Sequence, residues 1–234
     1  MIQSSLLKAT ADAFVPALAP LVALAFLGAG FVFVVAVLSA GIAFATHRVR
    51  LARWLGGAGL AVSAAYAALL FSASAFSGDR TLAPGERKYF CETDCHIAYE
   101  VTAAERVGPL GQAVTLRTWF DPATIAPFRG DAPLSPGPRT VYLLDDAGRR
   151  RAPSPAATAA WEKSHGESTP LGRELRPGQS YTTTLVFDLP ADARADRLFV
   201  GDPPGGIETI LIGHENSPGH GKTYLALPTS RPAS

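Results

Sequence analysis

The stretch PLVALAFLGAGFVFVVAVLSAGIAFA, Pro20 to Ala45, decides the architecture of this chain. It lies inside a longer run, Phe14 to Ala45, that carries no charged residue, and a second uncharged run, Leu55 to Phe76, follows it. Between the two, the ionisable residues are His47, Arg48, Arg50 and Arg53. A helix crosses a bilayer when roughly twenty consecutive apolar residues let every backbone amide pair within the segment, where no water is available. Both runs meet that condition, so residues 1–77 read as a membrane helical hairpin with spans at about 20–45 and 55–76. The first run is longer than one straight span needs, and Phe14 to Ala19, with Pro16, reads as an interfacial lead-in. Pro20 then falls in the first helical turn, where its missing N–H costs least. The second span is rich in small residues, among them Gly56, Gly57, Gly59, Ser63, Ala64 and Ala65, which allow two helices to approach closely in lipid.

The basic loop orients the hairpin. Arginines 48, 50 and 53 outweigh the N-terminal Lys8, itself balanced by Asp12, so the positive-inside tendency holds the loop in the cytoplasm. The expectation is a bacterial inner-membrane protein with both termini and the C-terminal domain extracytoplasmic. A rival reading makes one run a cleaved signal sequence, with Ser72-Ala73-Ser74 as the small-residue site. A signal sequence needs no apolar span before it, which favours the hairpin.

Residues 78–234 are long enough for one domain with a substantial core. Of 21 basic and 20 acidic residues, four and one precede Ser77, which leaves 17 and 19 beyond it. That balance offers no electrostatic footprint for nucleic acid or an anionic surface. Arginine outnumbers lysine, Asn216 is the sole asparagine and Met1 the sole methionine, the bias of a GC-rich bacterial genome. Along this part the apolar pattern has period two. In Tyr181 to Leu189, positions Leu185, Phe187 and Leu189 are expected to face a core, and Thr182, Thr184 and Asp188 to face water. Further strands are expected at Ile97–Val101, Val114–Trp119, Thr140–Leu144, Leu198–Val200, Thr209–Ile212 and Thr223–Leu227. Turn formers such as Gly108-Pro109, Asp145-Asp146-Ala147-Gly148, Arg176-Pro177-Gly178 and Asp202-Pro203-Pro204-Gly205-Gly206 separate them. Short strands with Gly/Pro punctuation indicate an antiparallel β-sandwich. Arg149 to Gly172 is expected to be a long loop, with at most one helical turn around Ala156–Lys163.

The succession Leu144-Asp145-Asp146-Ala147-Gly148, then Leu175-Arg176-Pro177-Gly178-Gln179-Ser180, then Leu185-Val186-Phe187-Asp188-Leu189-Pro190 with Leu198 beyond, resembles the immunoglobulin-like DUF4352 domains of bacterial membrane and secreted proteins. The resemblance spans roughly residues 95–212 and rests on structural motifs. It implies an immunoglobulin-like sandwich and a non-catalytic binding or accessory module.

Chemistry concentrates in Tyr89-Phe90-Cys91-Glu92-Thr93-Asp94-Cys95-His96-Ile97-Ala98-Tyr99, which holds both cysteines. With Tyr89–Cys91 and Cys95–Val101 as hairpin arms, the cysteines oppose each other at roughly 5.5 Å between α-carbons, a separation that permits a disulfide. An oxidising compartment permits it too. So small a closed loop removes little chain entropy, so a bridge here adds little global stability. The competing reading is a metal or thiol-redox site, because two thiolates and an imidazole make a Cys2His set suited to copper. His96 adjoins in sequence but in a strand points away from Cys95; His214 and His220, in the Gly213–Gly221 segment, can reach across a fold. The Cys-x3-Cys spacing is similar to that of copper-delivery proteins of the Sco type and of binuclear copper loops, without their surrounding motifs. A c-type haem site fits poorly: Cys91 to His96 is one residue longer than Cys-x2-Cys-His, the flanks look extended, and the domain has no methionine.

Nucleophile-elbow, zinc-helix, phosphate-loop and dinucleotide patterns are absent, so no catalytic residue is nominated. Asp121, Asp145, Asp146 and Glu162 read as solvated surface or turn carboxylates, and His165 as surface. Three functional classes remain: a non-catalytic extracytoplasmic binding or accessory module with a structural Cys91–Cys95 bridge, a copper-handling or thiol-redox protein, and a subunit of a larger membrane complex docked through the hairpin.

Overall fold

The computed structural model describes residues 13–14, 19–91, 95–125 and 129–228. The chain divides into two compact units: residues 17–78 with 204–221, and residues 1–16, 79–203 and 222–234.

The first unit contains two helices, α1 (Ala19–Ala45) and α2 (Val49–Ala75), 27 residues each. They pack antiparallel, with a tight contact where Gly59 faces Ala36: a Cβ on the glycine would meet the Ala36 Cβ at 3.0 Å. The turn between them is only Thr46-His47-Arg48. His47 takes a positive φ of 59°, its N–H bonds to the Phe44 carbonyl and that of Arg48 to the Ala43 carbonyl. This is a Schellman closure with histidine where glycine is commoner. The second helix therefore starts six residues before the expected span, and Arg50 and Arg53 ride on its first turns rather than in a loop. Most apolar side chains of α1 point outward; Phe31 is 70% exposed, and Leu24, Leu27, Leu38, Ile42 and Phe44 are similarly bare.

Segment 204–221 belongs to this same unit. Thr209–Ile212, expected as a strand, instead forms a 3-10 turn at Ile207–Ile210. The reason is local: Gly205, with φ of 97°, and Gly206 precede it, and the Thr209 N–H and hydroxyl both bond back to the Gly206 carbonyl.

The second unit is built from two five-stranded sheets. Ala13–Phe14 (β1), Arg87–Cys91 (β3), Cys95–Val107 (β4), Gly111–Phe120 (β5) and Ser180–Asp188 (β8) make one, in the order β1-β3-β4-β5-β8. Arg80–Leu82 (β2), Thr140–Asp145 (β6), Arg150–Arg151 (β7), Ala195–Gly201 (β9) and Thr223–Ala226 (β10) make the other, ordered β2-β10-β9-β6-β7. Pairing is antiparallel except at two edges, where β1 runs parallel to β3 and β2 parallel to β10. The expectation of a wholly antiparallel arrangement is corrected to that extent. Phe14, expected in the lead-in to the first span, lies in β1; residues 15–18 of that lead-in fall outside the described residues.

Alternation builds the core. Ile97, Tyr99 and Val101 from β4, Val114, Leu116 and Phe120 from β5, and Phe187 from β8 meet Leu143, Leu198, Val200, Leu82 and Leu225 of the other sheet in one buried cluster. At roughly 1.5–3 kcal/mol for each fully buried large apolar side chain, this cluster dominates the folding energy of the unit. On the other face of the second sheet, Tyr142, Phe199 and Tyr224 form a separate aromatic group, with Tyr142 and Phe199 stacked at 4.6 Å. Lys88 links the sheets. It is 2% exposed, and its ammonium donates to the carbonyls of Val200, at 2.6 Å, and Thr223, at 3.0 Å, beside the Phe199 ring.

The Arg149–Gly172 stretch departs from the expected loop. It holds β7 and a three-turn helix, α3 (Pro155–His165), started by the Ser154 side chain accepting from the Ala157 N–H, with Pro155 at the first helical position, and stopped at Gly166, φ 94°. This segment covers the open edge of β8. The Val186 N–H donates to the Thr158 hydroxyl, the Ser154 N–H to the Val186 carbonyl, and the Thr184 N–H to the Ser168 hydroxyl. Phe187 and Leu189 face the core as expected, but Thr184 is buried rather than wet, because α3 and its flanks lie over the outer face.

Candidate functional site

The cysteine segment forms the tip of the β3–β4 hairpin. The ladder runs Lys88↔Tyr99, Tyr89↔Ala98, Phe90↔Ile97 and then Cys91↔Cys95. The register shift after Phe90 leaves His96 as the extra residue of a bulge. That extra residue explains where His96 goes. It is 1% exposed and stacked on Phe120, ring centroids 4.7 Å apart, on the same inward face as Ile97. Directly opposed backbone positions of this kind stand about 4.5–5.5 Å apart, inside the range a disulfide spans. Cys91 and Cys95 thus meet the backbone condition for a bridge. Whether their side chains form one, or bind a metal, falls outside the described residues.

The base of the hairpin is held by Asp121. Its N–H donates to the His96 carbonyl at 2.8 Å, its Oδ1 accepts from the Ala123 N–H at 2.9 Å, and its Oδ2 accepts from the Tyr89 hydroxyl at 2.6 Å. Burial, reinforced by the hydrogen bond to Asp121 and its charge, pushes the Tyr89 phenol well above its ordinary range, so it remains a proton donor. Outside this buried pair, Arg87 lies over the Trp119 ring at 4.1 Å and reaches Glu100 at 3.4 Å, while Arg129 lies over Phe120 at 4.8 Å. The strand residues that lead to the two cysteines are thus held by buried polar and aromatic contacts.

The remaining candidates lie elsewhere. His214 and His220 belong to the helical unit. His214 Nδ1 accepts from the Asn216 N–H at 3.0 Å, and His220 Nδ1 donates to the Gly221 carbonyl at 2.7 Å. Each ring is used within its own loop. Among the described residues, no three His, Cys, Asp or Glu side chains gather into a group that could hold a metal ion.

Two carboxylates expected on the surface are buried. Asp121 is one. Asp145 is the other: its Oδ1 accepts the N–H groups of Ala147 and Arg149, and its Oδ2 the guanidinium groups of Arg149, at 2.8 Å, and Arg151, at 3.1 Å. Burial by itself would raise the carboxyl, but the N–H and guanidinium of Arg149, with Arg151, outweigh it and lower the pKa to about 2. The signals for both were present: Asp121-Pro122 marks a helical start, and Asp145 opens an Asx turn that closes at Gly148, φ 73°.

No family model matches the chain, and no curated protein matches it. Among solved structures, it is similar to a conserved hypothetical protein from Bacillus anthracis, at 13% identity and a TM-score of 0.33, over 48% of this chain and 89% of that one.

Proposed function

We propose that this chain is a membrane-anchored, non-catalytic binding or accessory module whose helical hairpin spans the bacterial inner membrane and presents the β unit on the extracytoplasmic side. The β unit is read as an immunoglobulin-like sandwich of the DUF4352 kind, and Cys91 and Cys95 as a structural disulfide closing its β3–β4 tip. The observation that carries the anchor is the outward exposure of α1: most of its leucines and phenylalanines are bare among the described residues, unlike those of a core helix in a soluble protein, and an acyl-chain environment supplies what they lack. The opposed backbones at residues 91 and 95 support the bridge.

Impermeant amine- and carboxyl-reactive reagents applied to intact spheroplasts test the orientation, with lysed cells as the comparison. Labelling of the β unit before lysis is expected; labelling only after lysis would sink the proposal. For the cysteines, intact mass before and after reductant, together with metal analysis of reduced protein, separates the bridge from a copper-handling or thiol-redox site. An unreactive pair and no copper is the expected result. Purification in mild detergent tests the remaining reading, a subunit held in a larger complex through the hairpin.

A further inference from the structure

Segment 204–221 is the part of the chain that its distance in sequence from the hairpin does not explain. It packs on α2, where the Tyr66 hydroxyl donates to the Ile210 carbonyl at 2.7 Å, and just beyond the end of that helix the Gly221 N–H donates to the Ser77 hydroxyl at 2.8 Å. Tyr66 lies nine residues before Ala75, the end of α2. At 1.5 Å per residue that is about 13 Å along the helix axis. A hydrocarbon core about 30 Å thick, begun where the charges of α2 cease after Arg53, ends close to Ala75. Tyr66 is therefore inside the outer leaflet, and so is the carbonyl it binds.

The loop is composed for that position. Ile207 and Ile210 are 56% and 45% exposed, with Leu211 and Ile212 beside them half-buried. Part of its backbone is paired within the loop: the N–H of Thr209 bonds to the Gly206 carbonyl and that of Leu211 to the Glu208 carbonyl, while the Leu211 carbonyl accepts from the His214 N–H and the Ser217 hydroxyl. Such pairing, together with the Tyr66 hydroxyl on the Ile210 carbonyl, lowers the cost of bringing non-helical backbone into lipid. One residue opposes deep entry. The carboxyl group of Glu208 folds back over Gly206, where an added Cβ would collide with it. The missing side chain at Gly206 leaves room for that fold-back.

Resting on the membrane reading of the hairpin, we infer that residues 205–212 form a wedge inserted among the acyl chains of the outer leaflet, pinned to α2 by Tyr66. The lipid-facing surface of the hairpin continues onto Ile207 and Ile210, so the occupant of this apolar patch is the bilayer itself. The anchor then comprises two spans and a half-inserted loop, residues 205–212.

The full chain, reconstituted in phosphatidylethanolamine and phosphatidylglycerol vesicles containing a phospholipid with a diazirine midway along one acyl chain, tests this directly. After irradiation, trypsin releases the loop as Leu198–Lys222 and most of α2 as Trp54–Arg80, and mass spectrometry locates the adducts. Adducts on both peptides, those of the loop centred on residues 207–212, support the wedge. Adducts on Trp54–Arg80 with a bare Leu198–Lys222 overturn the wedge and leave the anchor intact. Absence from both overturns the two readings together. The Ile207→Ser, Ile210→Ser double variant is expected to cut loop labelling by at least about fivefold, with the α2 peptide unchanged, because these side chains supply the apolar area that holds the loop in lipid. Equal labelling of the variant would overturn the assignment of these two residues as the inserted face.

Discussion

The two units of this protein use the same residue types in opposite directions. In α1, Phe31 and its neighbours point away from the protein, and the contact between the helices is made by small residues such as Gly59 and Ala36. In the β unit, Phe187, Phe120 and the core leucines point inward, into the cluster between the two sheets. An apolar side chain stabilises a unit in water by leaving the solvent; in lipid it gains nothing by turning inward, so close backbone approach takes over the work of packing. Truncating a large apolar side chain is therefore costly in one unit and cheap in the other.

The largest effect separates the two phenylalanines. Phe187→Ala removes a fully buried ring and is expected to destabilise the β unit by about 3–5 kcal/mol, read from thermal unfolding of the detergent-solubilised chain. Phe31→Ala should cost less than about 1 kcal/mol in the same measurement, since its ring touches the surrounding medium rather than the fold. Comparable losses from both would show that α1 is a core helix after all, and the contrast would collapse.

A smaller effect is expected at Lys88, where an ionisable group does inside the β unit what backbone pairing does in the helices. Lys88→Met keeps the aliphatic stem but strips the donor from the Val200 and Thr223 carbonyls. The loss is about 2–3 kcal/mol if both are left unpaired. A variant as stable as the parent would mean that water replaces the ammonium and that the two sheets are held by the apolar core alone.

The smallest change is a pH dependence confined to the β unit. Asp145 has a carboxyl at about 2 in the folded protein against an ordinary 3.8, so its ionised form is favoured by folding. That stabilisation is complete above about pH 4 and drains away as the pH falls towards 2. Asp145→Asn should therefore flatten the acid limb of the unfolding midpoint between those values while leaving the hairpin's helical signal as it was. An acid limb of unchanged slope would assign the pH response to other carboxylates.

Much of this could be read from residues alone, and the failures share a cause. The apolar runs of the hairpin and the strands at Val114–Trp119, Thr140–Leu144 and Tyr181–Leu189 are local patterns, and they appear where expected. The pairing of Tyr89–Cys91 with Cys95–Val101 was legible for the same reason. What escaped was whatever a distant segment covers. Thr184 alternates as a water-facing residue until α3 lies over it, and α3 itself was signalled by Ser154-Pro155 and Gly166 but lacked an apolar stripe strong enough to stand out. Asp145 looked like a turn residue, and is one, but two arginines close over it. For His96, alternation says only that it points away from Cys95; the bulge and the Phe120 ring that bury it are not in the local pattern. Thr209–Ile212 had the composition of a strand with no partner to pair with.

The sequence alone therefore determined which segments are apolar enough to span a bilayer, which alternate as strands, and where two cysteines fall in one hairpin, because each is fixed by neighbours a few residues away. Only the tertiary structure decided which polar groups are buried, which strand edges are covered, and that a loop near the C-terminus lies along the second helix. Those outcomes depend on contacts between residues far apart in the chain, such as Tyr66 with Ile210 and Thr158 with Val186, and no local pattern encodes a partner's address.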